Sequence, residues 1–161
     1  MRLALFEPDI PQNTGTLIRL GACLGLPLDI IEPTGFPWSD KALKRAGLDY
    51  WDLADVTRHN GWASFNAARR GRLILLTTKS TVVYTDFAFK ADDVLLLGRE
   101  SAGAPADVHD AADARLTIPM RPGTRSVNVA VAAAMVIGEG LRQTAGFPDA
   151  KSRTQVPGES R

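Results

Sequence analysis

Short apolar runs alternate with segments of helical periodicity along most of the chain. The apolar runs lack the polar alternation of a half-exposed strand, so they predict strands of a parallel sheet covered on both faces. The predicted strands are residues 2–6, 28–31, 54–59, 72–78, 93–98 and 114–120. The predicted helices are residues 13–25, 39–47, 62–70 and about 126–144.

The order of these elements, β-α-β-α-β-α-β-β-β-α, predicts an α/β fold with a mostly parallel sheet and helices on both faces. The periodic pattern stops near Gly146, and the remaining residues are polar with scattered prolines. We therefore expect one domain at residues 1–147 and a flexible C-terminal tail at residues 148–161.

Composition narrows the function classes. The 161 residues suit one domain, and 19 basic against 18 acidic residues give a net charge of +1. A nucleic acid would therefore have to bind a local basic patch.

Cys23 is the single cysteine, so no intrachain disulfide forms, as expected for a cytoplasmic location. The apolar runs are shorter than a signal peptide or a membrane span requires, so no membrane association is predicted.

Several common sites are excluded by their missing motifs. The phosphate-binding pattern GxxxxGK[ST] is absent, and the first strand is followed by EPDIPQNTG instead of GxGxxG. Neither His59 nor His109 has a partner at metal-ligand spacing, and with one cysteine no metal site is predicted.

Four loops rich in glycine, proline and small polar residues follow predicted strands, where ligands of open α/β sheets bind. They are EPDIPQNTG (7–15), TTKST (77–81), GRESAGAP (98–105) and PMRPGTRSVN (119–128). In the last loop, Ser126 or Asn128 is expected at the first turn of the final helix, either as a simple N-cap or beside N–H groups that bind a ligand. Glu100 is the only acid of its loop, which either turns the chain or binds a ligand.

Asn13 or Thr14 is predicted to cap the first helix, and Arg19 follows within it. The Arg19 guanidinium either faces solvent or binds a phosphate or carboxylate. Further basic residues gather in short groups that are either solvated surface or a track for an RNA backbone. These groups are Lys41, Lys44 and Arg45, then Arg69, Arg70 and Arg72, then Arg121 and Arg125.

Taken in order, the loops and their flanks resemble the SPOUT class of RNA 2'-O-methyltransferases. The resemblance covers residues 2–147 and is carried by LFEPDIPQNTGTLIRLGACLG, LLTTKST, LLLGRESAGAP and IPMRPGTRSVNVAVAAAMV. The segments EPTGF and RAGLDYWD are typical of a small branch of this class. That branch methylates the ribose of the wobble nucleotide, cytidine or uridine 34, in leucine tRNAs.

The resemblance implies a C-terminal deep trefoil knot, a homodimer, tRNA as partner and S-adenosylmethionine as cofactor. The implied cofactor-binding residues are Leu76, Thr77, Thr78, Gly98, Glu100, Gly103, Ile118, Met120 and Ser126. The implied catalytic residues are Arg19, Asn13, Asn128 and Glu100. The implied RNA-binding residues are Arg19, Lys41, Lys44, Arg45 and Arg121.

Two features qualify this expectation. Arginine stays protonated at neutral pH, so Arg19 is better suited to orient a phosphate and stabilise an alkoxide than to act as a base. The loop at Glu100 carries Arg99, Ala102 and Ala104 where relatives often have proline, arginine and leucine. The alternatives are methylation of another tRNA or rRNA position, and a non-catalytic RNA-binding protein on the same fold.

Overall fold

A six-stranded sheet forms the centre of the protein, as seen in a computed structural model that describes residues 1–39 and 51–149. Its strands follow the spatial order β3-β2-β1-β5-β4-β6, and every pairing is parallel. The strands are β1 Arg2–Phe6, β2 Leu28–Ile31, β3 Val56–His59, β4 Leu73–Leu76, β5 Val94–Leu97 and β6 Ala114–Leu116. The predicted parallel sheet is confirmed.

The strand order reverses direction between β1 and β5, which are neighbours in space. β1 is followed by β2 and β3 on one side, whereas β5 pairs with β4 on the other. The register Leu5↔Leu97 brings the carboxyl ends of β1 and β5 level with each other. Loops that leave such a switch point diverge and open a crevice, which is where open α/β sheets bind ligands.

Helices cover both faces of the sheet, as the pattern predicts. α1 Pro11–Leu24 and α4 Val129–Gln143 pack on one face, where Leu17, Ile18, Val136 and Ile137 are buried. α2 Trp62–Ala68 and α3 Ala106–Ala111 cover the other face through Phe65 and Val108. Within the described ranges, no helix combines the length and hydropathy that a membrane crossing requires.

The predicted start of α1 is wrong. The helix begins at Pro11, after the extended residue Ile10, and no side chain caps it. Proline suits the first helical position because its missing N–H would have no partner there. Asn13 and Thr14 therefore lie inside the first turn, which leaves the Asn13 amide available for contacts outside α1.

Other boundaries also differ. The last helix begins at Val129, so Ser126 precedes it, and Asn128 is its N-cap. The expected element order omits α3, whose six residues are too short for a clear helical period. The predicted helix at residues 39–47 and the predicted tail fall largely on residues 40–50 and 150–161, outside the described ranges.

Candidate active site

A cavity of about 440 Å³ opens at the carboxyl edge of the sheet, beside the β1/β5 switch point. This volume lies within the range of roughly 300–1,000 Å³ that is usual for small-molecule sites. All nine residues that the resemblance implies for the cofactor line it. They are Leu76, Thr77 and Thr78 after β4, Gly98, Glu100 and Gly103 after β5, and Ile118, Met120 and Ser126 after β6. Their binding roles stay predictions.

The loop after β5 folds tightly onto itself, and this requires two glycines. Arg99 and Gly103 exchange backbone hydrogen bonds of 3.1 and 2.8 Å. A Cβ at Gly98 would lie 2.6 Å from the Ala104 backbone nitrogen, so any side chain there would push the loop open. Gly103 adopts a left-handed φ of 70°, and a Cβ there would meet no atom within 4 Å.

Three polar side chains from distant parts of the sequence form a hydrogen-bonded chain along the cavity wall. Asn128 donates from Nδ2 to Asn13 Oδ1 at 2.9 Å, and Asn13 donates from Nδ2 to Glu100 Oε1 at 3.1 Å. Asn128 Oδ1 accepts from the backbone N–H groups of Ala130 and Val131. Because a backbone N–H can only donate, this cap fixes the orientation of both amides and directs a donor at Glu100.

Glu100 and Asp9 form a carboxyl pair at the junction of the loops after β1 and β5. The Asp9 N–H donates to Glu100 Oε2 at 3.0 Å. Burial, followed by the side-chain hydrogen bond with Asp9, raises the pKa of Glu100 above its usual value. The pKa of Asp9 is lowered, because its carboxylate accepts hydrogen bonds from the Glu100 side chain and from the side chain and backbone of Ser101. A proton on this pair therefore resides on Glu100.

Arg99 ties the same two loops together. Its Nη1 donates to Glu7 Oε2 at 3.0 Å, and its Nε lies 3.8 Å from Asp9 Oδ2. Glu7 has a left-handed φ of 43°, which is uncommon for a residue with a side chain. The arginine thus holds an unusual backbone turn next to the carboxyl pair, a role that the sequence did not indicate.

A lysine and a histidine also line the cavity. Lys79 follows β4 and His109 lies in α3, and both border the cavity. The pKa of His109 is lowered, mainly by burial and to a smaller extent by the positive charges of Lys79 and Arg115. Within the described ranges, Glu100 is the only carboxylate among the lining residues. Sequence reasoning missed Lys79, Asp9 and His109 as site residues, because no local motif marks them.

Two of the predicted RNA-binding residues, Arg19 and Arg121, are described, and neither lines the cavity. Arg19 is exposed on α1 and is not among the described residues that line the cavity. Arg121 is exposed in the loop between β6 and α4. Lys41, Lys44 and Arg45 fall outside the described ranges. In the described part of the chain, no group of three or more His, Cys, Asp or Glu side chains is placed to hold a metal ion.

The cavity fits a nucleoside-containing cofactor such as S-adenosylmethionine. Apolar side chains, among them Leu97, Ile118 and Met120, can cover a ring system, and the lining also contains polar side chains such as Asn13, Thr77 and Ser126. The open space beside Gly103 adds room that a side chain would fill. A sulfonium compound carries no phosphate, so the missing glycine-rich phosphate motif is no obstacle.

The fold and this site define a methyltransferase of the SPOUT type, and comparison with known proteins supports the assignment. The model of the SpoU rRNA methylase family matches residues 1–138, so the chain belongs to that family. A tRNA (cytidine(34)-2'-O)-methyltransferase of Ancylobacter novellus is 56% identical over 150 residues, covering 91% of this chain and 95% of the relative.

Solved structures give the same grouping. A structure concerned with 2-OH methylation of C/U34 on tRNA matches with a TM-score of 0.83 and 41% identity, over 88% of this chain and 94% of that one. An AdoMet-bound rRNA methyltransferase of Sinorhizobium meliloti matches with a TM-score of 0.78 and 26% identity. It is aligned over 88% of this chain but only 55% of its own length.

Proposed function

We propose that the protein transfers a methyl group from S-adenosylmethionine to the ribose 2'-hydroxyl of nucleotide 34, cytidine or uridine, in leucine tRNAs. The observation that carries the proposal is the Asn128–Asn13–Glu100 chain of hydrogen bonds along the cavity that the nine cofactor residues line. Support for tRNA comes from the relatives matched over nearly their whole length. The rRNA methyltransferase, by contrast, is matched over only 55% of its own length.

The cofactor would supply an electrophilic methyl group, and the protein would hold it between the three loops that follow β4, β5 and β6. Ile118 and Met120 would cover the adenine, because apolar surface removed from water stabilises a bound ring. Gly98 would let the backbone approach closely, since no side chain fits there. This placement leaves the side chains of Asn13, Glu100 and Asn128 at the edge that faces the substrate.

Arg19 would act on the RNA and not on the cofactor. Six helical residues span about 9 Å along the axis, so Arg19 and Asn13 are well separated on α1. An exposed guanidinium suits the phosphate next to the target ribose, which it would orient while it stabilises negative charge developing on the 2'-oxygen. Arg121, together with Lys41, Lys44 and Arg45, would bind further phosphates.

A homodimer is part of the proposal. Val131 and Met135 lie one helical turn apart on α4 and are 52% and 39% exposed. Gly138 follows on the same side, where a Cβ would meet no atom within 4 Å. Such an apolar, small-residue surface suits close packing against a second copy, and burial of the exposed valine and methionine would stabilise the contact.

The C-terminal knot also belongs to the proposal, within a methyltransferase domain at residues 1–147 that precedes a flexible tail. Its support is the way the chain after β6 is held against the loop after β4. The Thr117 N–H donates to the Val82 carbonyl at 2.8 Å, and the Tyr84 N–H donates to the Thr117 carbonyl at 3.0 Å. α4 then contacts the 3-10 turn Tyr84–Asp86.

The experiment is methyl transfer to purified tRNA that lacks the modification at nucleotide 34. With labelled S-adenosylmethionine, we expect label in leucine tRNAs, located by nuclease digestion and mass spectrometry as a 2'-O-methyl group on nucleotide 34. Ribosomal RNA serves as the competing substrate. Transfer to rRNA alone would reject tRNA as the substrate, and binding of tRNA without transfer would identify a non-catalytic protein.

A further inference from the structure

The wall of the cavity has an uneven distribution of charge. Glu100 supplies the only carboxylate among the described lining residues, whereas Lys79, Arg99 and His109 supply the cationic or titratable groups. Asp9 lies directly behind Glu100, bound to it through its own N–H. The negative charge of the site is therefore concentrated at one point, at the end where Asn13 and Asn128 stand.

We propose that Glu100, positioned by Asp9 and Arg99, selects the cofactor by its charge, so that the site favours the sulfonium-bearing methyl donor over its neutral thioether product. The proposal rests on the proposed function, because it assumes that S-adenosylmethionine is the ligand. It assigns Glu100 a specificity role in cofactor exchange, in addition to its hydrogen bond with Asn13.

The fixed position of Glu100 makes this selection effective. Oε1 accepts from Asn13 and Oε2 accepts from the Asp9 N–H, so both oxygens of the carboxylate are held. Arg99 also holds the loop after β1, which contains Asp9, through its hydrogen bond to Glu7. A partly buried charge that does not rotate into solvent interacts more strongly with a bound cation than a mobile surface charge does.

Methyl transfer itself removes the charge that Glu100 would attract. In the proposed reaction, the bond between carbon and sulfur would break and leave its electron pair on sulfur, while the ribose 2'-oxygen would form the new bond to carbon and its proton would pass to water. The sulfonium thereby becomes an uncharged thioether. The attraction that holds the methyl donor is then absent from the product, which favours its replacement by a fresh donor.

The other charges of the site would also act on the sulfonium. His109, whose pKa is lowered by burial and by the charges of Lys79 and Arg115, gains a proton toward the acid end of the range, where it too would weaken donor binding. Asp9 contacts Glu100 from the loop after β1, and Arg99 of the loop after β5 bonds to Glu7. Asn13 and Asn128, which continue the hydrogen-bonded chain, are neutral. Lys79 and His109 also line the cavity. Both ligands carry the same amino acid end and the same adenosine, so the ratio of their affinities reports on the methylated sulfonium, and a substitution at Glu100 separates its contribution from that of His109.

The selection requires ionised Glu100. Because burial and the Asp9 hydrogen bond raise its pKa, Glu100 takes up a proton at a higher pH than an exposed glutamate does. A bound cation opposes that protonation. The affinity for the donor should therefore fall as the pH drops through the raised pKa, whereas the affinity for the neutral product should not fall with it.

The test is isothermal titration of the full chain with S-adenosylmethionine and S-adenosylhomocysteine between about pH 5 and pH 8. We expect the ratio of donor to product affinity to be about 10-fold higher at the alkaline end. An analogue with a protonated amine in place of the sulfonium should follow the donor. In Glu100→Gln the ratio should lose its pH dependence while product affinity is retained. Asp107→Asn, at an exposed position in α3, is the control and should retain the wild-type ratio.

Donor and product affinities that change in parallel across this range would overturn the inference, as would a Glu100→Gln variant with the wild-type ratio. If that variant loses affinity for both ligands, His109→Gln decides, because it removes the other titrating group of the cavity lining: a ratio that loses its pH dependence in His109→Gln would overturn the inference. Failure of the proposed function is distinguishable. Absence of binding of either ligand at any pH would reject the cofactor assignment, whereas a wrong RNA target would appear in the tRNA methylation assay and leave these titrations unchanged.

Discussion

Asn128 donates a hydrogen bond of 2.9 Å from its Nδ2 to Oδ1 of Asn13, a residue 115 positions earlier in the chain. The same Asn128 side chain caps α4 by accepting from the backbone N–H groups of Ala130 and Val131. Formation of the last helix and orientation of the Asn13 amide therefore depend on one residue. Stability and the geometry of the site can be separated by substitutions at this position.

Asn128→Asp should retain the helix cap and disrupt the site. Aspartate caps a helix as well as asparagine does, so we expect the free energy of unfolding to change by less than about 1 kcal/mol. The new carboxylate cannot donate to Asn13, so methyl transfer should fall by roughly 100-fold through misplacement of the site. Asn128→Ala should lose the cap as well, at about 1 kcal/mol. Urea denaturation and single-turnover transfer measure the two effects, and full activity of Asn128→Asp would exclude the proposed role.

Gly98→Ala should weaken cofactor binding at least 10-fold. The added methyl group would lie 2.6 Å from the backbone of Ala104 and Gly103, so the loop after β5 has to move. Forcing an extra methyl group into a packed site typically costs about 1–3 kcal/mol. Titration calorimetry with S-adenosylmethionine measures the loss, and Ala106→Ser, an exposed change just beyond the loop, serves as control. Unchanged affinity in Gly98→Ala would place the cofactor elsewhere.

Arg19→Ala should abolish methyl transfer without changing the affinity for S-adenosylmethionine. The side chain is exposed on α1 and lies outside the described lining of the cavity, so its loss should affect the RNA step alone. A decrease of about 100-fold or more in the transfer rate is expected for removal of a group that stabilises the developing charge. Arg70→Ala, an exposed arginine beyond the end of α2, should keep full activity. A fully active Arg19→Ala protein would remove this residue from the mechanism.

Val131→Glu should convert a dimer into a monomer. The substitution places a charge on the exposed apolar side of α4, where desolvation of an unpaired carboxylate would outweigh the packing contacts. Val82→Glu provides the matched control, because Val82 is also exposed but belongs to the loop after β4. Sedimentation velocity distinguishes the two states. A wild-type protein that sediments as a monomer, or a Val131→Glu protein that remains a dimer, would contradict the proposed interface.

The sheet could be predicted from sequence because both of its faces are covered. Runs such as Leu73–Leu76 and Val94–Leu97 are apolar at every position, a pattern that few other structures produce. The start of α1 was mispredicted because Pro11 begins the helix without a polar cap. α3 was not predicted because its single buried anchor, Val108, gives no periodicity.

The sequence could assign the site residues to their individual loops, but it could not predict which of them contact each other. Local patterns do not reveal contacts such as Asn13 to Glu100, which are 87 positions apart. The resemblance supplied the names of these residues, but it did not indicate the Asp9–Glu100 pair or the Arg99–Glu7 bond. Those contacts depend on the left-handed turn at Glu7 and on the adjacency of β1 and β5, both of which arise from the tertiary fold.

The most direct measurement is the position of the methyl group after the purified protein reacts with S-adenosylmethionine and leucine tRNA that is unmodified at nucleotide 34. The account predicts one new 2'-O-methyl group, on nucleotide 34, detected by mass spectrometry of the digested tRNA. Its absence, or a methyl group on a base or on another nucleotide, would contradict the account.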